Sequence, residues 1–176
     1  MARRLRLPVL AVALLAPLLQ PSAAHAANGL PTDFYANIYN PYNRTCVNVR
    51  NDSTQTLAWI QEYGCDGTGA SDFYFATVGS DGVYEIIGEH SNLCISPVLN
   101  LTTDPAQDDL AQSYCTGEQQ ERWSLVPAGG GTYELYNLAY GECLTEPNGN
   151  WWTILQLTTC SAAPSQDFYL DNILAA

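Results

Sequence analysis

The sequence predicts an all-β domain made of three copies of one unit, closed into a small barrel of short strands with hairpin caps. Three observations predict it. Six cysteines fall into two evenly spaced series, and aromatic and aliphatic residues recur at fixed distances from them. Beyond the first 26 residues no stretch has helical periodicity.

The chain of 176 residues opens with Arg3, Arg4 and Arg6, an apolar run from Leu7 to Leu19, and the small-residue stretch Ser22-Ala-Ala-His-Ala26. That is the layout of a secretory signal with a cut after Ala26, so residues 1–26 read as a signal peptide and 27–32 as a short tail. The apolar run is shorter than the roughly 20 residues a spanning helix needs and contains two prolines, which makes a membrane anchor the weaker reading. The Arg3-Arg4 pair has no twin-arginine motif around it. A secreted, extracellular protein is expected.

Without the leader 150 residues remain, enough for one domain, and no later segment is apolar enough to cross a membrane. Arg44, Arg50 and Arg122 then face all 18 acids, giving a net charge of −15 in a chain with no lysine. Nucleic acids and anionic membranes are poor partners for such a surface, which has little to neutralise phosphates. A monomer is expected.

Six cysteines in an exported chain imply three disulfides, with 15 pairings open from the count alone. Zinc is the competing reading. It is weak, because no two cysteines have C-x₂₋₄-C spacing and His90 is the only histidine after the leader. No metal or cofactor is expected.

The repeat narrows the choice. Cys46, Cys94 and Cys143 are 48 and 49 residues apart, and Cys65, Cys115 and Cys160 are 50 and 45 apart. Eight residues before each member of the first series stands Ile38, Ile86 or Leu135. Eight residues after each member of the second stands Phe73, Trp123 or Phe168, followed two positions on by Phe75, Leu125 or Leu170. Tyr84-Glu-Ile-Ile87 matches Tyr133-Glu-Leu-Tyr136, and the glycine-rich turns Gly79–Gly82 and Pro127–Gly131 occupy the same place in the repeat. Four short strands per copy give twelve, and closing them removes exposed edges. Pairing within each copy gives Cys46–Cys65, Cys94–Cys115 and Cys143–Cys160, enclosing 18, 20 and 16 residues. Each such loop stabilises by about 3 kcal/mol in the chain-entropy model. The aromatic column Phe73, Trp123 and Phe168 reads as core, and Tyr39, Trp59 and Tyr136 as packing residues.

These segments resemble the ricin B-type lectin domains. That family's copies carry a Cys-Leu-Asp-Val-like segment, an Ile/Val-Gln-x-Trp-x-Cys segment and a Gln-x-Trp. Copy one here reads Cys46-Val-Asn-Val49, Ile60-Gln-Glu-Tyr-Gly-Cys65 and Ser71-Asp-Phe73. Copy two reads Cys94-Ile-Ser-Pro97, Leu110-Ala-Gln-Ser-Tyr-Cys115 and Glu121-Arg-Trp123. Copy three reads Cys143-Leu-Thr-Glu146, Leu155-Gln-Leu-Thr-Thr-Cys160 and Gln166-Asp-Phe168. The resemblance spans residues 33–174, with copies at about 33–79, 80–128 and 129–174. It implies a β-trefoil with pseudo-threefold symmetry and a secreted, non-catalytic carbohydrate-binding module.

The sugar-binding positions are degenerate. The family's aspartate, which accepts from sugar hydroxyls, is replaced by Asn48, Ser96 and Thr145. Its aromatic platform, which lies under the C–H face of a sugar, becomes Tyr63, Ser113 and Thr158. Asn48, Gln61 and Tyr63 therefore make copy one the best residual site, with Asp72 as a possible carboxylate from a shifted position. Copy two is blank. Copy three lacks the platform but carries Asn148-Gly-Asn-Trp-Trp152, and on a strand Trp151 and Trp152 face opposite sides. Two readings stand for them: a carbohydrate or protein contact, or one ring in the barrel and the other over a loop. Gln166 reads as structural, because a buried amide must find partners.

Catalysis is disfavoured: no nucleophile elbow is present and His90 is the only candidate histidine base. Asp104–Asp109 lacks the glycine and closing glutamate of a calcium loop. Sequons at Asn43, Asn51 and Asn100 matter only in a glycosylating source. The alternative function is a trefoil that has lost sugar binding and acts as a protein-interaction or inhibitor module, which the loss of all three family aspartates favours.

Overall fold

The computed structural model describes residues 29–79, 82–98 and 108–175. The segment expected to be a signal peptide, most of the Asp104–Asp109 stretch, Asn100 and the tip of the Gly79–Gly82 turn lie outside those residues.

Twelve strands form one continuous hydrogen-bonded system. Copy one supplies β1 (Phe34–Asn40), β2 (Thr45–Val49), β3 (Ile60–Tyr63) and β4 (Phe73–Thr77). Copy two supplies β5 (Val83–Gly88), β6 (Cys94–Val98), β7 (Asp108–Ser113) and β8 (Arg122–Gly129). Copy three supplies β9 (Thr132–Asn137), β10 (Glu142–Thr145), β11 (Gln156–Thr158) and β12 (Tyr169–Ala175). The first and last strand of each copy run around a barrel, β1–β4–β5–β8–β9, which β12 completes by pairing with β1 and bridging Phe168 to Tyr133. The middle strands form three hairpins, β2–β3, β6–β7 and β10–β11. They cap one end and touch through β7–β11 and the bridges Trp59 to Ala111 and Gln61 to Ile154. This is a β-trefoil, as the resemblance implies, and its capped barrel of twelve strands is the one the repeat predicts.

Strict alternation drives the barrel. In β1 the inward set is Phe34, Ala36, Ile38 and Asn40, buried at every second position. The repeated positions share one core: Ile38, Ile86 and Leu135, and Phe73, Trp123 and Phe168, are all at most 1% exposed. Val47, Ile95 and Leu144, and Ile60, Leu110 and Leu155, are buried in the same cluster. Tyr39, Trp59 and Tyr136 are half-buried. Phe34 stacks on Phe75 at 4.6 Å, filling copy one's end of the barrel.

Disulfides join Cys46 to Cys65, Cys94 to Cys115 and Cys143 to Cys160, one within each copy. Buried asparagines close two corners. The Asn40 side chain accepts from the amides of Tyr42 and Asn43 and donates to the carbonyls of Pro164 and Asp167. Asn137 repeats this with Ala139, Tyr140 and Gln120. Each bond spares a tight turn an unsatisfied backbone group.

Candidate functional site

The β2–β3 register sets Asn48 opposite Gln61 and Cys46 opposite Tyr63. The loop carrying Trp151 and Trp152 comes from copy three and is laced onto β3. Trp152 donates its N–H to the Glu62 carbonyl at 2.9 Å, and Glu62 donates its own to Thr153 at 2.8 Å. The two sequence candidates, far apart in the chain, therefore form one site. Tyr63 lies 5.0 Å from Trp151 and 4.7 Å from Trp152, between ring centres.

The tryptophans are not on a strand. They form a turn with Trp152 at φ +75°, and both remain about half exposed, at 57% and 48%. The opposite-face geometry is thereby lost, and both rings gather on Tyr63. Neither enters the barrel. Gly64 makes room: a Cβ there would meet the Trp151 indole at 2.9 Å.

Beside these rings is a cleft of about 220 Å³ lined by Asn48, Asn51, Asp52, Gln61, Tyr63, Asp66, Thr68, Ala70 and Trp152. It is smaller than the roughly 300–1,000 Å³ of drug-sized pockets, a size for one ring rather than a chain. Asn48 and Gln61 are nearly fully buried at its floor. The Gln61 Nε2 donates to Asn48 Oδ1, and the Asn48 Nδ2 donates to Ser71 Oγ, both at 3.1 Å. Gln61 Oε1 is buried without a partner.

The rim residues Asn51, Asp52, Asp66 and Thr68 escape the sequence reading. A local signal exists for them: Asn51 and Asp52 adopt φ of 59° and 49°, which their residue types tolerate best among non-glycines. Asp66-Gly67-Thr68 closes an Asx turn, Asp66 Oδ1 accepting from the Thr68 N–H at 3.1 Å and hydroxyl at 2.8 Å. Asp52 Oδ1 lies 2.8 Å from His90 Nδ1. Asp72 does not reach this cleft. Its carboxylate accepts from Asn37 Nδ2 and lines a separate hollow with Glu89 and Asn172.

The same slots in the other copies hold paired hydroxyls. Ser96 and Ser113 share a hydrogen bond of 2.8 Å. Thr145 and Thr158 share one of 2.7 Å, and Gln166 Nε2 donates to both hydroxyls at 2.9 Å. Gln166 Oε1 accepts from the N–H and hydroxyl of Ser161, the residue after the second cysteine. Glu121 does the same for Thr116 in copy two. In copy one the equivalent Ser71 bonds to Asn48 instead, and Asp66, after the second cysteine, stands at the cleft rim.

Beneath the tryptophan loop lie two buried carboxyls. Glu62 Oε1 accepts from the Asn148 N–H at 3.4 Å, while Glu146 Oε2 accepts from the Thr45 hydroxyl at 2.5 Å and from Asn43 Nδ2 at 3.3 Å. Burial pushes Glu146 up to about 8, with the nearby Glu62 adding to the rise and the Thr45 bond opposing it. Burial also raises Glu62 above its ordinary value. Glu85, Cys94 and Cys115 cluster like metal donors, but the two sulfurs are joined in a disulfide and offer no thiolate. Among the described residues no helix is long and apolar enough to cross a membrane.

The architecture defines a β-trefoil, and comparison with known proteins agrees. Residues 69–153 match the family model described as ricin-type beta-trefoil lectin domain-like. That match covers just under half of the chain, across copies one, two and three. Among solved structures, it is similar to ThreeFoil, a designed 3-fold symmetric protein, with TM-score 0.70, 21% identity, 77% of this chain and 96% of that one. The Rhizoctonia solani agglutinin gives 0.68 at 14% identity over 80% and 95% of the two chains. An exo-beta-1,3-galactanase from Clostridium thermocellum gives 0.71 at 17% identity over 80% of this chain, which spans only 30% of that longer protein. At these identities the likeness is one of fold. No curated protein matches the chain in sequence.

Proposed function

We propose that this is a secreted, extracellular, non-catalytic carbohydrate-binding module with one working site, between copies one and three. Tyr63 and Trp152 supply faces for the C–H surface of a sugar, Trp151 braces Tyr63, and Asn48 and Gln61 form the polar floor. The observation carrying this reading is a ring-sized polar cleft walled by Tyr63 and Trp152, with Trp151 packed against Tyr63. The match to a ricin-type lectin family model over residues 69–153 supports it, as does the agglutinin among the structural neighbours.

A second reading, a trefoil that serves as a protein-interaction module, has its own support in the hydroxyl pairs that occupy the slots of copies two and three. A glycan array separates the two. Binding to at least one glycan, weakened by Tyr63→Ala and Trp151→Ala, is the expected result. Silence toward every oligosaccharide at micromolar concentration leaves the protein-interaction reading.

A further inference from the structure

The charge on the lining of the cleft is one-sided. Gln61 gives one Nε2–H to Asn48, Asn48 gives one Nδ2–H to Ser71, and the Thr68 hydroxyl goes to Asp66. What remains is the buried, unpartnered Oε1 of Gln61, the amide of Asn51 and the carboxylates of Asp52 and Asp66. The charged groups of the lining are those two carboxylates. No arginine lines the cleft, and the histidine beside Asp52 lies outside the lining. Two aromatic faces, Tyr63 and Trp152, complete the wall.

We propose that this cleft prefers a pyranose carrying an ammonium group, the amino-sugar unit of a deacetylated glycan, over neutral or N-acetylated sugars. The inference rests on the carbohydrate reading above. An ammonium offers three donors and no acceptor, which suits a rim of two carboxylates above an unpartnered carbonyl oxygen. Its charge is also drawn to the π-faces of Trp152 and Tyr63. An acidic sugar meets repulsion from the same carboxylates. The short side chain of Ser71 matters here: the longer Glu121 and Gln166 reach the residue after the second cysteine, and Ser71 leaves Asp66 at the rim.

The test titrates the protein, by calorimetry or tryptophan fluorescence, with glucosamine tetramer and N-acetylglucosamine tetramer in mildly acidic, low-salt buffer. The expected result is roughly tenfold tighter binding of the deacetylated tetramer, a preference that shrinks in high salt. Asp66→Asn and Asp52→Asn each narrow that preference. Asp171→Asn removes the same charge outside the cleft and leaves it intact, which separates the cleft from the general acidity of the chain. Equal or weaker binding of the deacetylated tetramer overturns the amino-sugar inference and leaves the carbohydrate reading standing. Absence of binding to either tetramer overturns the inference, and the glycan array then decides separately whether the carbohydrate reading survives. Capture of a trimethyl-lysine peptide in place of both sugars overturns it in favour of protein recognition.

Discussion

Gln61 and Gln166 are both 1% exposed, and they do opposite things with their amides. Gln166, in copy three, meets Thr145, Thr158, Thr159 and Ser161 and has no polar atom to spare. Gln61, in copy one, makes one bond and leaves Oε1 unpartnered at the floor of a cleft. The lesson is that a trefoil slot becomes a fastener or a site according to whether its polar atoms find partners inside the copy. Two hydroxyls facing each other occupy the slot. An asparagine beside a tyrosine, with a short serine behind, leaves it open.

The largest contrast lies between two tryptophans. Trp123 is 1% exposed and donates Nε1–H to the Ile95 carbonyl at 3.1 Å. Trp123→Ala should cost about 3–5 kcal/mol, read from urea denaturation, because it leaves a cavity and an unpaired carbonyl. Trp152→Ala should cost under about 1 kcal/mol, as for an exposed site, while abolishing ligand binding. Comparable stability losses in the two variants would contradict the placement of Trp152 at a surface site.

The carboxyls beneath the loop sharpen the comparison through pH. Folding raises Glu146 from 4.5 to about 8, so between those values the folded chain holds a proton that the unfolded chain has lost. Its contribution to stability is complete below about pH 4.5 and disappears as pH rises through about 8. At about 1.4 kcal/mol per pH unit the loss is a few kcal/mol. Glu146→Gln should flatten this slope and raise stability at pH 8.5 relative to the parent chain. A slope unchanged in the variant would remove Glu146 as its source.

Gln166→Ala should cost about 2 kcal/mol by stranding Ser161 and the threonine pair, with ligand affinity unchanged. Loss of ligand binding in a folded Gln166→Ala protein would break the distinction between fastener and site. A small effect on stability, like that of Trp152→Ala, is expected from Gly64→Ala, whose new methyl must displace the Trp151 indole. Stability should change by about 1 kcal/mol or less, and the shift should appear in tryptophan fluorescence and as weaker ligand binding.

The periodic features were legible early because they are local or repeated. Cysteine spacing, the Phe73–Trp123–Phe168 column and the alternation in β1 each report a strand's fixed period of two and its place in a copy. The twelve-strand barrel and the three within-copy disulfides follow from that pattern, while the structural role of Gln166 follows from the need of a buried amide for partners. The site was legible only in pieces. Tyr63 and the tryptophan pair stand out as residues, yet nothing in their separation says that they touch. Strand alternation also misplaced Trp151 and Trp152, because the left-handed Trp152 turns the chain where a strand would continue.

The sequence by itself determined the repeat, the acidic charge and the covalent staples, all of which depend on residue type and spacing. Only the tertiary structure decided that copy three's loop lies on copy one's hairpin, that Asp66 rather than Asp72 borders the cleft, and that Glu62 and Glu146 share a buried environment. The physical reason is that closing the barrel brings the first and third copies side by side. Contacts across that seam depend on turn geometry and burial, which no spacing along the chain records.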